Sequence, residues 1–494
     1  MTPADIASTG GLDGRRWPWS VPGMSFEGDE NVLDLLIQRG QVILETGESR
    51  VDIGVKDGKI VQLGRSEYMA DATSVIDAGD MLVLPGMIDP HTHFSLPLMG
   101  TTTGLSFQSG TRAACMGGTT TVIDFAIQPP GTLLGDTLAE RRQQADGKVA
   151  IDYALHLVVT DATRPVLSEL RDVVADGVPS LMMNLKRGTM NDDVFVAAIL
   201  EQIRDRALWT THAVDSPISD HLVKEAVRRG HTEPIYHALT KPPLVEAEAL
   251  NRALFMTEHT GAALYDFHMS IAEGVERIGR ARDRGRPVYA ETCTHYLALT
   301  EDALKREDGI NFICSPPLRS REHVDALWNG LRDGVISTLG SDECTFTHDQ
   351  KLMGKGSFAD VPNGLCGMEF RLPIMYTEGV LKGRISLSRM VEVLSTNAAR
   401  IFGLYPRKGV IAVGSDADLV LFDPRKEATL SVEDSATGCD WHPYEGMVAR
   451  GWPINTTIAR GRVSCVDGTF RGDAGHGSFL KRRIAQDVLE GPVV

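Results

Sequence analysis

Pro85-Gly86-Met87-Ile88-Asp89-Pro90-His91-Thr92-His93 marks the point where the chain changes texture. Upstream, residues 31–84 alternate apolar and polar positions between turn signals, as in Val51-Asp52-Ile53-Gly54-Val55 and Lys59-Ile60-Val61-Gln62-Leu63. Asp57-Gly58 between these runs is a strong hairpin signal. The pattern predicts a small antiparallel sheet. Downstream, short apolar runs are followed by helical patterns. Residues 120–125, 153–159 and 263–268 read as buried strands, and residues 193–207 and 272–284 as amphipathic helices. Strand-then-helix units repeated over about 330 residues predict an α/β fold built on a (β/α)8 TIM barrel. Alternation returns in Ala417-Asp418-Leu419-Val420-Leu421-Phe422 and in Arg462-Val463-Ser464-Cys465-Val466. The economical division is a barrel over 85–413 and a small β-sandwich domain formed from both chain ends, 30–84 and 414–470. Residues 1–29 then form an N-terminal extension and residues 471–494 a C-terminal tail.

Of the 494 residues 42% are hydrophobic, enough for a large buried core. The net charge of −16 argues against a nucleic-acid partner, whose phosphates call for clustered Lys and Arg, and against anionic membrane surfaces. No apolar run of roughly 18 residues is present, so no transmembrane helix is expected. The extension lacks an apolar stretch of signal-peptide length. Seven scattered cysteines without a CxxC pair read as reduced thiols of a cytoplasmic protein.

The chemistry starts at the end of the first barrel strand. Side chains alternate along a strand, so His91 and His93 point the same way, and two imidazoles on one face can bind one metal ion. A bare His-x-His also arises as two unrelated polar residues. Lys186, His212, His268 and Asp342 each end a predicted strand. Each has a plainer alternative: a satisfied core histidine, a lysine reaching to solvent, an aspartate capping a helix. All of them nevertheless fall on the barrel face where such folds carry function. A desolvated Lys186 can lose its proton and capture carbon dioxide as a carbamate, whose two oxygens suit two metals. Asp342 can bind a metal and accept a proton from attacking water.

Gly86-Met-Ile-Asp-Pro-His-Thr-His93, Gly117-Gly-Thr-Thr-Thr121, Glu233-Pro-Ile-Tyr-His237, Glu291-Thr-Cys-Thr-His-Tyr-Leu297, Ser315-Pro-Pro-Leu-Arg319, Gly340-Ser-Asp342, Pro362-Asn-Gly364 and Gly409-Val-Ile-Ala-Val-Gly-Ser-Asp-Ala-Asp-Leu419 follow in order. In this string the chain resembles the hydantoinase and dihydropyrimidinase branch of the amidohydrolase superfamily, from about residue 32 to residue 482. The resemblance implies a hydrolase that opens a cyclic amide or ureide ring with water activated by two divalent metals. It implies His91 and His93 with Asp342 on one metal, His212 and His268 on the other, and carbamylated Lys186 bridging them. Zinc is the default ion, with manganese the alternative. Asp342 is implied as the catalytic proton carrier, and Ser315 and Asn363 as holding the ring amide through backbone groups.

Several positions depart from the family pattern. Phe94-Ser95-Leu96-Pro97-Leu98-Met99 follows His93 without the Arg that dihydroorotases and typical allantoinases carry there. Phe94 and Leu96 are therefore expected to line an apolar substrate pocket that prefers rings with an apolar substituent. No Tyr follows Lys186 within Arg187 to Leu200, and the usual His-Ala-Glu-Asn is His212-Ala213-Val214-Asp215. The alternatives are an allantoinase-like or cyclic imide hydrolase and, from another class, a non-catalytic dihydropyrimidinase-like scaffold that has lost its metals. The resemblance also implies a homo-oligomer, a dimer or tetramer. Phe479, Leu480, Ile484 and Val488 in the tail are expected to pack on a neighbouring subunit.

Overall fold

The computed structural model describes residues 32–161, 163–183, 193–214 and 217–494. The N-terminal extension and Lys186 lie outside them. Eight strands form one parallel sheet: β1 (Met87–Thr92), β2 (Thr119–Ile127), β3 (Asp152–Val158), β4 (Ser180–Met182), β5 (Leu208–Thr211), β6 (Leu264–Asp266), β7 (Val288–Cys293) and β8 (Thr338–Gly340). Each pairs with its sequence neighbour. The sheet closes where Thr92 bridges Glu343 and the His93 N–H donates to the Glu343 carbonyl at 3.0 Å. Helices covering the outside leave the strands buried on both faces, which is why β2 carries neighbouring apolar residues, Val122 with Ile123 and Phe125 with Ala126, instead of alternating with exposed polar ones.

The companion domain has two sheets. Lys59–Gly64, Asp52–Lys56, Leu33–Gln38 and Ala72–Asp77 form the first. Asp57 and Gly58 both take positive φ, 50° and 73°, as the tight turn joining two of its strands requires. The second sheet joins the chain ends, because Leu82–Pro85 lies antiparallel to Leu419–Phe422. Leu35, Ile37, Ile53 and Val55 from one sheet pack against Val42, Val83, Leu419 and Leu421 from the other. A buried cluster ties this domain to the barrel: Lys408 Nζ lies 2.7 Å from Asp152 at the start of β3, 2.6 Å from Asp418 and 3.1 Å from Asp416.

The tail corrects an expectation. Phe479 bridges Tyr153, and the Leu480 N–H donates to the Tyr153 carbonyl at 2.8 Å, so the tail runs along the N-terminal end of its own β3. Leu480, Ile484 and Val488 join one buried cluster with Ile123, Phe125, Tyr265 and Phe402. The Tyr289 hydroxyl donates to the Gly491 carbonyl at 2.7 Å. These side chains floor the barrel of their own chain rather than pack on a neighbour, because the open strand ends already present an apolar surface in reach.

Candidate metal centre and active site

β1 carries His91 and His93 to the C-terminal rim. Their Nε2 atoms lie 3.1 Å apart, as alternation along a strand requires. Asp342, two residues beyond β8, places Oδ1 3.2 Å from the Nε2 of His91 and 3.1 Å from that of His93. His268, two residues beyond β6, meets His212, which follows β5, with ring centroids 4.2 Å apart. The rings of His91 and His268 are 5.4 Å apart, so the two groups adjoin. His268 and Asp342 hold positive φ, 39° and 51°. Such backbone costs on the order of 1–3 kcal/mol and concentrates at functional sites. Here it occurs where the chain turns off a strand end.

Glu291, fully buried in β7, was given no role by sequence reasoning. It accepts from His91 Nδ1 at 2.7 Å and from the Tyr265 hydroxyl at 2.8 Å. In the neutral imidazole, with Nδ1 donating to this carboxylate, the lone pair falls on Nε2, the atom that faces His93 and Asp342 and that a cation would take. The signals for Glu291 were its place at the head of the Glu291–Leu297 motif and an acidic residue inside a mostly apolar strand, Val288-Tyr-Ala-Glu-Thr-Cys293. Gly340 makes room for it, since a Cβ there would stand 2.6 Å from the Glu291 carboxylate.

The electrostatics ask for positive charge at the rim. Burial alone would keep His91 neutral, but Asp342 and Glu291 raise its pKa to about 9. Burial would likewise raise Asp342, yet His91 and His93 hold it far below the usual carboxylate range. Burial and the neighbouring His212 keep His268 neutral, the state that ligates a metal. Ligand atoms of His91, His93 and Asp342 all fall within 4.8 Å of one another. A proton shared there satisfies one contact at a time, whereas a divalent cation satisfies all three. The donor set fits a metal ion.

Ser315 and Asn363 sit half-buried on two loops joined by the Gly364 N–H donating to the Ile313 carbonyl at 3.0 Å. The Asn363 side-chain oxygen is buried without a partner. Phe94 requires a correction. It is fully buried, packs on Phe107 with centroids 5.6 Å apart, and covers Gly110 so closely that a Cβ there would meet the ring at 2.2 Å. The alternation that turns His91 and His93 inward turns Phe94 away from the mouth and into the core. Leu96 stays half-buried ahead of the small hairpin formed by Pro97–Leu98 and Thr101–Thr102. All seven cysteines are buried and unpaired, and burial pushes the thiols of Cys293 and Cys344 well above their ordinary range, which disfavours nucleophilic roles. Among the described residues no helix is long and apolar enough to cross a membrane.

An eight-stranded parallel barrel with paired histidines and an aspartate at its C-terminal rim has the apparatus of a metal-dependent hydrolase. Residues 82–463 match the model of the Amidohydrolase family. The chain is 42% identical over 454 residues to a D-hydantoinase of Geobacillus stearothermophilus, covering 90% of this chain and 96% of that protein. It is 38% identical over 453 residues to a D-phenylhydantoinase of Escherichia coli O1:K1, covering 91% and 98%. The crystal structure of dihydropyrimidinase from Brevibacillus agri NCHU1002 superposes with a TM-score of 0.89 at 41% identity, covering 91% and 99%. The chain belongs to the amidohydrolase family, in its hydantoinase and dihydropyrimidinase branch.

Proposed function

We propose that this protein hydrolyses the C–N amide bond of a cyclic amide or ureide, of the 5-substituted hydantoin or dihydropyrimidine type. The convergence of His91, His93 and Asp342, with Glu291 behind His91, carries the reading. His91, His93 and Asp342 would hold one divalent ion and His212 and His268 a second, with Lys186 as a carbamate between them by resemblance alone. Zinc suits these imidazole and carboxylate donors, with manganese the alternative. Bound divalent ions would polarise the ring carbonyl and lower the pKa of water. Asp342 is the carboxylate at the rim, with Oδ1 3.2 and 3.1 Å from the Nε2 atoms of His91 and His93, and serves as the proton carrier. As water oxygen bonds to the carbonyl carbon, Asp342 takes the released proton. It then hands that proton to the ring nitrogen as the C–N bond breaks. Backbone groups of Ser315 and Asn363 would orient the ring. Leu96 and Leu98 at the mouth, and similarity to a protein named D-phenylhydantoinase, support a preference for apolar 5-substituents.

A panel of phenyl- and alkyl-substituted hydantoins, dihydrouracil, allantoin and cyclic imides tests this reading. Metal-loaded protein is expected to open a substituted hydantoin with a higher kcat/KM than dihydrouracil, and a chelator to abolish turnover. Asp342→Asn should lower kcat by roughly 10²–10⁴-fold. No ring opening across the panel by metal-loaded protein would overturn the proposal, and a folded protein that retains no metal would favour a non-catalytic scaffold. Native mass spectrometry in bicarbonate checks Lys186 through the added mass of one carbon dioxide. A homo-oligomer, dimer or tetramer, is supported by the exposed apolar side chains of Leu244 and Phe255 on the helix Pro243–Thr260. Light scattering at micromolar concentration tests it. The unpaired thiols support a cytoplasmic setting.

A further inference from the structure

Lys351 is fully buried on a short helix, His348–Leu352, that follows the Asp342 strand end. Burying an ammonium is expensive unless its donors are satisfied. Among the described residues it has no carboxylate partner within ion-pair distance. Its three donors go instead to three backbone carbonyls: Ile313 at 2.8 Å, Pro362 at 2.8 Å and Gly364 at 2.6 Å. Ile313 lies two residues before Ser315, while Pro362 and Gly364 flank Asn363. The ammonium is therefore the knot that fastens together the two loops carrying Ser315 and Asn363. The same helix reaches a third loop, because the Gln350 side-chain amide donates to Thr101 Oγ1 at 2.7 Å and to the Thr102 carbonyl at 2.9 Å, in the hairpin after the His-x-His strand.

The contacts also have an electronic consequence. The Pro362 carbonyl belongs to the peptide whose N–H is that of Asn363. A cation on the carbonyl oxygen draws electron density through the peptide and makes that N–H a stronger donor. No side-chain route replaces this. A methionine fills the space but donates nothing, so the Pro362 and Gly364 carbonyls lose the ammonium and Ile313 keeps only the bond from the Gly364 N–H.

We propose that Lys351 is the positioning residue of the ring-binding loops: its ammonium fixes the spacing of Ser315 and Asn363 and polarises the Asn363 peptide, so that their backbone groups meet the amide edge of a cyclic ureide or imide. This rests on the functional reading above. Lys351 touches neither the rim histidines nor Asp342 through any hydrogen bond among the described residues, so its loss acts on ring binding and spares the metal centre.

The test uses full-length, metal-loaded wild type, Lys351→Met and Lys351→Gln with a substituted hydantoin. Both variants are expected to keep the wild-type metal content and circular dichroism. KM should rise tenfold or more, while kcat falls by less than about threefold. A purely structural lysine would lower the active fraction, and with it kcat, at unchanged KM. Hydrogen–deuterium exchange without substrate gives a second readout, and faster exchange confined to residues 313–318 and 361–366 is expected. Unchanged KM in folded variants would overturn the proposal, as would unchanged exchange in those loops or failure of both variants to fold. A wild type that opens none of the rings sinks the functional reading instead, and the exchange result then decides the loop claim by itself.

Discussion

Glu291 and Gly340 work as a pair. The carboxylate fixes the ring of His91, and the missing Cβ at residue 340 is what lets it stand there. Glu291→Gln preserves the shape and removes the charge. Outer partners of metal-binding histidines typically contribute 10–100-fold in metal affinity, so a loss of about that size is expected in equilibrium dialysis against zinc. Gly340→Ala should weaken metal binding in the same direction, because its Cβ displaces the carboxylate. Wild-type metal retention in both variants would exclude this role for Glu291. The contrast with Phe94 shows which residues a sequence makes readable. His91 and His93 follow from alternation along one strand, and Asp342 from its place at a strand end; both are local facts. Glu291 meets His91 across 200 positions of chain, and no local pattern announces such a partner. Phe94 was misplaced because its nearness in sequence to two rim residues outweighed the alternation that puts it on the opposite face.

At the scale of elements, the strand-and-helix rhythm made the barrel legible, and the Asp57-Gly58 turn marked the first sheet. The joint between the two domains was not legible, since the Gly409–Leu419 motif gives no hint that Lys408 beside it meets Asp152 at the start of β3. Lys408→Met would leave the buried Asp418 without a cation, Asp152 with Arg460 alone and Asp416 with Lys59 and Arg407. Breaking a buried ion cluster by removing one partner costs about 3–5 kcal/mol, and denaturant titration should show a loss of that order. A shift below about 1 kcal/mol would mean that the joint is held by apolar packing instead. Acid should reveal the same cluster. Burial alone would raise the pKa of Asp416, but Lys408, Lys59 and Arg407 hold it down at about 2, below the unfolded value of about 3.9. A carboxylate with a depressed folded pKa contributes stability that is present above the unfolded pKa and is lost as pH falls through the folded one. Asp416→Asn is therefore expected to lower Tm at pH 7, and the gap to wild type should close between about pH 4 and pH 2. A gap that stays constant over that interval would contradict the assignment.

Over the whole molecule, the tail was the least legible part. An apolar segment after the last strand looks the same whether it floors its own barrel or a neighbour's, because the pattern records only that one face is buried. Ending the chain after Phe479 removes Leu480, Ile484, Val488 and Leu489 from the floor. Burial of each such side chain contributes roughly 1.5–3 kcal/mol, so the sum rivals the entire stability of an ordinary domain. The truncated protein is expected to aggregate or to bind a hydrophobic dye; a soluble product with wild-type Tm would show the floor to be dispensable. The same placement sets a timetable for the newborn chain. Leu82–Pro85 must wait for Leu419–Phe422 before its sheet can form, and the barrel floor must wait for Leu480 to Leu489. Domains that are contiguous in sequence can fold one after another as they leave the ribosome. This chain has no such order available: one domain cannot close before Leu419–Phe422 has left the ribosome, nor the other before Leu480 to Leu489, so the early strands of both spend most of synthesis without their partners and depend on chaperones to stay apart.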